Sequence, residues 1–426
     1  MSTCAIVGVN WGDEGKGRMV DLLAESYDLV IRYQGGSNAG HTVINDYGKF
    51  ALNLMPSGIF RENVINILGN GVALDPEHLI GEIEKLRAAG VKVGPENLKI
   101  SERASIVFPY HKELDALEEQ RLSDKKYGST KRGIAPVYSD KYQKKTIQMG
   151  EVNMPEYLKS RLHDILEWKN LTIKGVYGAE PFSEQAMLDW CDKYLFPLAP
   201  YVCDTGKLIE EAQKAGKSIL FEAQLGALRD IDYGIYPFTS SSSPLSSFAP
   251  LGSGAPWTKI DDCVGVIKAY STCVGEGPFV VEWFDERADK LRDAGGEYGA
   301  ATGRPRRVGP IDIVATRYGV KVQAATEVAL TKLDVLSYMD KIPVCTAYKL
   351  KDGTITKDFP FTPLMDGAEP VIEYMEGFKT DITKIRRYED LPKAARDYVE
   401  YIEREIGCRI TYVSVGPNRE EIIIRK

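Results

Sequence analysis

The sequence predicts an α/β fold: a single large domain with a mixed, mostly parallel central sheet, flanking helices, and a nucleotide site like that of P-loop NTPases at its first strand. Three observations predict it. Short apolar runs alternate with helical patterns along the chain, as in strands joined by crossover helices. The first apolar run ends in a glycine-rich turn that opens a helix. No Pro/Ser-rich linker, internal repeat or heptad interrupts the 426 residues, so 1–426 reads as one domain.

The opening strand is 4–9, Cys4-Ala5-Ile6-Val7-Gly8-Val9. It feeds Asn10-Trp11-Gly12-Asp13-Glu14-Gly15-Lys16-Gly17-Arg18 and a helix over 19–25. A second strand over 29–33 leads into Gln34-Gly35-Gly36-Ser37-Asn38-Ala39-Gly40-His41-Thr42. Further strands are predicted at 64–68, 218–221 and 328–333, and helices at 76–89, 184–195, 208–215 and 391–406. Four stretches read as mobile loops: 34–50, 120–133, the serine-rich 239–247, and 293–308 with its glycines and arginines.

Composition narrows the function classes. With 43% hydrophobic and 27% charged residues the chain can build a sizeable core. A net charge of −7 argues against general affinity for nucleic acid or an anionic membrane. An anionic substrate must then meet a local cationic site. Seven scattered cysteines without a Cys-x-x-Cys pair, and no secretory leader, read as a reduced cytoplasmic protein. No apolar run approaches the ~20 residues that span a bilayer.

The glycine-rich turn offers backbone N–H groups and a helix N-terminus to phosphate. It keeps the Gly-Lys of a P-loop at Gly15-Lys16, yet has Gly17 where a metal-binding hydroxyl is expected. Asp13 lies where phosphates would sit, and a carboxylate there needs a cation or a proton-transfer role. Taken alone, Asp13 also suits a helix cap or a turn.

With Gln34 to Thr42, this opening resembles that of the adenylosuccinate synthetase family. Pro56-Ser57-Gly58-Ile59, Gly69-Asn70-Gly71-Val72, Arg132-Gly133-Ile134, Asp230-Ile231-Asp232 and Ala269-Tyr270-Ser271-Thr272 extend the resemblance. So do Thr302-Gly303-Arg304-Pro305-Arg306-Arg307, Thr331-Lys332-Leu333-Asp334-Val335 and Ser414-Val415-Gly416-Pro417, in the family's order. The resemblance implies a GTP-dependent ligase that condenses IMP and L-aspartate to adenylosuccinate through 6-phosphoryl-IMP, with Mg²⁺ as cofactor and a homodimer as the working unit.

The resemblance also implies roles. Asp13 is the general base toward N1 of IMP and, with the Gly40 carbonyl, a magnesium ligand; Lys16 and His41 complete the catalytic set. Gly12, Glu14, Gly15, Gly17, Arg18 and Thr42 join them around GTP, with Arg306 nearby. Lys332, Leu333, Asp334, Ser414, Val415 and Gly416 form the guanine pocket, where the two acceptor oxygens of Asp334 match the N1–H and N2–H₂ donors of guanine. Asn38, Ala39, Thr130 and Arg304 hold IMP, and Lys144 reaches the 5′-phosphate of the neighbouring subunit. Ala300, Ala301, Thr302, Gly303, Arg304 and Arg306 hold L-aspartate, since guanidinium forks pair with carboxylates.

Some positions depart from the family pattern. Lys131 replaces a glycine, Lys144 an arginine, Ala301 a threonine and Cys273 an arginine. At Phe221-Glu222-Ala223-Gln224-Leu225-Gly226 the family's purine-binding glutamine falls on Leu225, or on Gln224 with a one-residue slip. The threonine that follows is Thr239 or Ser240 under the same ambiguity. A paralogue acting on a guanylate-like acceptor such as dGMP is therefore one alternative. A regulatory GTPase is another, although it would want a hydroxyl at Gly17; a binding homologue without catalysis fits poorly with Asp13, Lys16 and His41 all present. The remaining histidines, His78, His111 and His163, read as structural or merely solvated.

Overall fold

The first apolar run forms β1, Thr3–Gly8, buried along its whole length, as a central strand covered on both faces must be. The computed structural model describes residues 2–45, 47–299 and 303–425. Nine further strands join β1 in one sheet. They are β2 (Leu29–Arg32), β3 (Ile65–Leu68), β4 (Leu98–Ser101), β5 (Val202–Cys203) and β6 (Ile219–Glu222). β7 (Asp262–Lys268), β8 (Glu327–Thr331), β9 (Ile410–Ser414) and β10 (Ile422–Ile424) follow. Their spatial order is β10-β9-β8-β7-β1-β6-β2-β3-β4-β5. Every neighbouring pair is parallel except β9–β10, so the mixed, mostly parallel sheet expected from the sequence is the one observed.

From β1 the chain builds outward one way through β2 to β5 and the other way through β7 to β10. Ligands of open parallel sheets bind outside the carboxyl ends of the strands where this direction reverses. The glycine-rich turn leaves β1 there, flanked by the ends of β6, β2, β7 and β8. One apolar cluster packs under β3 and β4, including Leu68, Leu98, Ile100 and Phe108, and another under β8 and β9, including Val328, Leu330, Ile410 and Val413.

The helices start and stop close to expectation, with local reasons for each shift. The first, α1, runs Lys16–Leu23, three residues earlier than predicted, because Gly15 at φ 100° turns the chain straight into it. Asp204 caps the Lys207 N–H at 3.0 Å and starts the helix Thr205–Lys214 early. The predicted helix over 184–195 is α-helical only over Glu184–Trp190 and widens to a π turn over Cys191–Leu195. An unpredicted second sheet pairs Lys341–Lys349 antiparallel with Glu369–Glu376. Among the described residues no helix is long and apolar enough to cross a membrane.

Candidate active site

Three residues of the turn after β1 lie in the left-handed region: Gly12 at φ 104°, Asp13 at 60° and Gly15 at 100°. That path lifts Asp13 to an exposed position and opens the α1 N-terminus. Glu14 turns inward and ties the loop together. Its Oε1 accepts from the N–H of Gly12 at 2.8 Å and of Asn10 at 3.1 Å, and its Oε2 pairs with Lys16 Nζ at 2.8 Å. Both side chains of that pair are buried.

Gly17 is explained by a neighbour. A Cβ built there would lie 2.8 Å from the Cβ of His41, so a hydroxyl residue has no room. His41, at the start of the strand His41–Asn45, is buried. Its Nδ1 meets Glu222 Oε1 at 2.5 Å, while among the described residues Nε2 has no hydrogen-bond partner. Glu222, the last residue of β6, also accepts from the N–H of Ser57 at 2.8 Å and its Oγ at 2.7 Å, and Arg32 Nη1 stands 3.9 Å away. Burial alone would raise the Glu222 carboxyl, but His41, Arg32 and Ser57 outweigh it and hold it at about 2. Burial pushes the His41 imidazole below its ordinary value, against the opposing pull of Glu222. Nδ1 of the ring is thus committed to Glu222, and Nε2 is the nitrogen left for a ligand.

On the other side, Thr331 Oγ1 donates to the carbonyl of Glu14 at 2.6 Å, fastening the end of β8 to the glycine-rich turn. Lys332 then turns at φ 60° into the short helix Leu333–Tyr338, and Asp334 on it is half-buried. Burial raises the Asp334 carboxyl, opposed by Lys332 and Arg18. Arg18 on α1 donates to Ser414 Oγ and to the Gly416 carbonyl, each at 2.6 Å. Ser414, Val415 and Gly416 are therefore held against the helix that opens at the glycine-rich turn.

The arginine segment reaches the same place. Arg306 Nε lies 3.1 Å from Asp13 Oδ2, and its Nη1 pairs with Glu297 Oε2 at 2.7 Å. Arg307 is turned away onto Glu282 and the Gly277 carbonyl, which makes it a brace for the segment. Arg304 is exposed, with Nη2 4.0 Å from Glu276 Oε1. Ala300, Ala301 and Thr302 lie outside the described residues, and Gly303 is exposed.

The residues expected around IMP are more dispersed. Thr130 is exposed on a turn that Asp115 anchors by accepting from Ser129 Oγ at 2.6 Å and from Gly133 N–H at 2.9 Å. A Cβ on Gly128 would come within 3.2 Å of Glu276 Cγ, so this turn and Arg304 share one neighbour. Asn38 and Ala39 are half-buried beside exposed Gly40 and Thr42. Of the two possible glutamine positions, Gln224 has its amide engaged: Nε2 donates to the carbonyls of Gly36 at 2.8 Å and Asn53 at 2.7 Å, and Oε1 accepts from Gly36 N–H at 3.3 Å. Leu225, at φ 59° and half-buried, stands against Gly12. Thr239 and Ser240 are both half-buried. Ser240 leads through Ser242 to Gln34, by contacts of 3.2 and 2.9 Å.

Sequence reasoning assigned no role to Glu222 or Glu297. The available signal was weak: a glutamate closing an apolar buried strand must find cationic or N–H partners. Glu297 had no such signal.

Comparison with known proteins fits this geometry. The family model for adenylosuccinate synthetase matches residues 5–423. The chain is similar to the adenylosuccinate synthetase of Caldanaerobacter subterraneus subsp. tengcongensis, 47% identical over 425 residues, covering 100% of this chain and 99% of that one. It is 45% identical over 429 residues to the Clostridioides difficile enzyme of that name, with coverage of 100% and 99%. Its structure is similar to a fully ligated adenylosuccinate synthetase from Plasmodium falciparum, with TM-score 0.93, 33% identity and all of both chains covered.

Proposed function

Because the chain belongs to the adenylosuccinate synthetase family and is a GTP-dependent ligase joining IMP to aspartate, we propose how its own residues carry that reaction. Asp13 is the general base. It takes the proton from N1 of IMP, which gives O6 oxyanion character, and O6 attacks the γ-phosphorus of GTP, breaking its bond to the β,γ-bridging oxygen so that GDP leaves and 6-phosphoryl-IMP forms. The amine of L-aspartate, its carboxylates held by Arg304 and Arg306, then displaces phosphate from C6. General base catalysis of this kind contributes roughly 10²–10⁴-fold.

Phosphoryl transfer is mostly positioning and electrostatics. Lys16, the N–H groups opening α1 and His41 face the phosphates. An arriving phosphoryl anion favours the imidazolium of His41, whose unused Nε2 then donates to it while Glu222 holds the ring through Nδ1. Lys332 and Asp334, with Ser414 to Gly416, receive the guanine.

Mg²⁺ fits the donor set. The exposed Asp13 carboxylate and the carbonyl of exposed Gly40 are hard oxygen donors. A cation of this kind takes phosphate and water as its other ligands. Bound there, the ion would offset charge on the phosphates.

The assembly we propose is a homodimer. Thr130 and Lys144 flank the nine-residue helix Ile134–Tyr142, about 13 Å long at 1.5 Å per residue. The resemblance to the family is what supports Lys144 serving the partner's 5′-phosphate site. All seven cysteines are free, which supports a cytoplasmic setting.

The observation that carries this reading is the approach of Arg306 to Asp13 at 3.1 Å, beside the opening of α1. The test is incubation with GTP, Mg²⁺, IMP and aspartate, each omitted in turn, followed by near-ultraviolet absorbance. Product should require all four. GTP breakdown without IMP would point to a switch instead, and product from dGMP in place of IMP would show a relaxed base pocket.

A further inference from the structure

We propose that Glu297 is a positioning residue that fastens the dicarboxylate arginine and the guanine-pocket lysine to each other, so that the aspartate and GTP sites assemble together. This rests on the roles given above to Arg306 and Lys332. Glu297 is fully buried, and its carboxylate collects donors from separate parts of the fold. Oε1 takes Lys268 Nζ at 2.9 Å, Tyr270 Oη at 2.6 Å and Lys332 Nζ at 3.2 Å. Oε2 takes Lys268 Nζ at 3.0 Å and Arg306 Nη1 at 2.7 Å.

Lys268 ends β7, Lys332 follows β8, and Arg306 comes from the arginine segment. One carboxylate therefore joins three elements, and Arg306 extends the chain of contacts to Asp13. The backbone repeats the link, because Arg306 N–H donates to the Glu297 carbonyl at 3.0 Å and Arg292 Nε to the Arg306 carbonyl at 2.8 Å. Burial would raise the Glu297 carboxyl, but Lys268, Lys332 and Arg306 outweigh it and hold it well below the carboxylate range. An amide in its place would turn N–H donors toward ammonium and guanidinium groups and leave buried cations uncompensated.

Three cations, Lys268, Arg306 and Lys332, thus share two carboxylates, Asp13 and Glu297. Substrate carboxylate can compete for Arg306 at its Asp13 side while Glu297 keeps hold of Nη1. A shift of Lys332 on nucleotide binding would be felt by Arg306 through this one group.

The test compares the unaltered chain with Glu297→Gln and Glu297→Asp, measuring KM for each substrate and, separately, KM for aspartate across GTP concentrations. In Glu297→Gln, KM for aspartate and for GTP should rise together by at least tenfold while KM for IMP stays within about twofold. In the unaltered chain KM for aspartate should fall as GTP rises, and in Glu297→Gln that dependence should vanish. Glu297→Asp, which keeps the charge on a shorter arm, should recover part of both. A folded Glu297→Gln with aspartate and GTP constants within twofold of the unaltered chain would overturn the proposal. If Glu297→Gln does not fold, the same criteria apply to Glu297→Asp, whose parallel rise would support it and whose unchanged constants would overturn it. An unaltered chain that ligates nothing would overturn the assignment of the site itself.

Discussion

Arg306 Nε stands 3.1 Å from Asp13 Oδ2, although the N–H is not aimed at that oxygen and no hydrogen bond forms. Asp13 is exposed and Arg306 largely buried, so the arginine is the fixed partner and the carboxylate the adaptable one. The residue read as a clamp for aspartate thus already touches the residue read as the base for IMP.

Exchange of Asp13 for asparagine should therefore separate chemistry from binding. Asp13→Asn keeps the size and the left-handed turn, which asparagine tolerates. We expect kcat to fall about 10²–10⁴-fold with KM for GTP little changed. Arg306→Leu should instead raise KM for aspartate at least tenfold; an unchanged value would show that the clamp is misassigned. Steady-state kinetics in each substrate decides both.

The His41–Glu222 pair makes a prediction about acid. Glu222 sits at about 2 in the fold against an ordinary 4.5, so its stabilisation is complete above pH 4.5 and lost as pH falls from there toward 2. His41, held below its ordinary value, adds to the same trend, since charging it opposes the fold as pH drops below 6.5. Glu222→Gln should cost about 3 kcal/mol at pH 7, and the gap from the unaltered chain should narrow as pH approaches 3. Thermal unfolding between pH 7 and pH 3 measures it.

Much of this was legible in the chain. The apolar run of β1, the glycine turn after it and the alternation that follows dictate a parallel sheet, because local pattern and burial agree there. Lys332-Leu333-Asp334 and Ser414-Val415-Gly416 were visible as motifs, but their meeting across Arg18 depends on long-range strand order. Glu222 and Glu297 were not legible as functional, since a buried carboxylate declares itself only once its cations are in place. Gln224 illustrates the reverse: an amide that looks available in sequence is engaged by the backbone of Gly36 and Asn53.

Gly17 gives a counterintuitive prediction. Gly17→Ser would restore the hydroxyl of a P-loop, yet its Cβ would fall 2.8 Å from that of His41. Overpacking of this kind costs about 1–3 kcal/mol and would move the imidazole off Glu222. We expect a lower Tm and at least a tenfold loss of kcat, read by calorimetry and turnover on the same preparation.

In the proposed reading Asp334 carries the nucleotide preference. Its carboxylate offers only acceptors, which suit the N1–H and N2–H₂ of guanine, whereas adenine presents no such pair of donors. Asp334→Asn replaces one acceptor with an N–H₂ donor that would face the guanine amino group. Loss of a charge-assisted hydrogen bond is worth about 1.5–3 kcal/mol, or roughly 10–100-fold. We expect KM for GTP to rise by that factor. XTP, which has a carbonyl in place of the amino group, should become the better donor because the new amide can donate to it. Measuring kcat/KM for both nucleotides with the two proteins decides it: an Asp334→Asn chain that still prefers GTP to XTP by the original ratio would remove Asp334 from the guanine pocket.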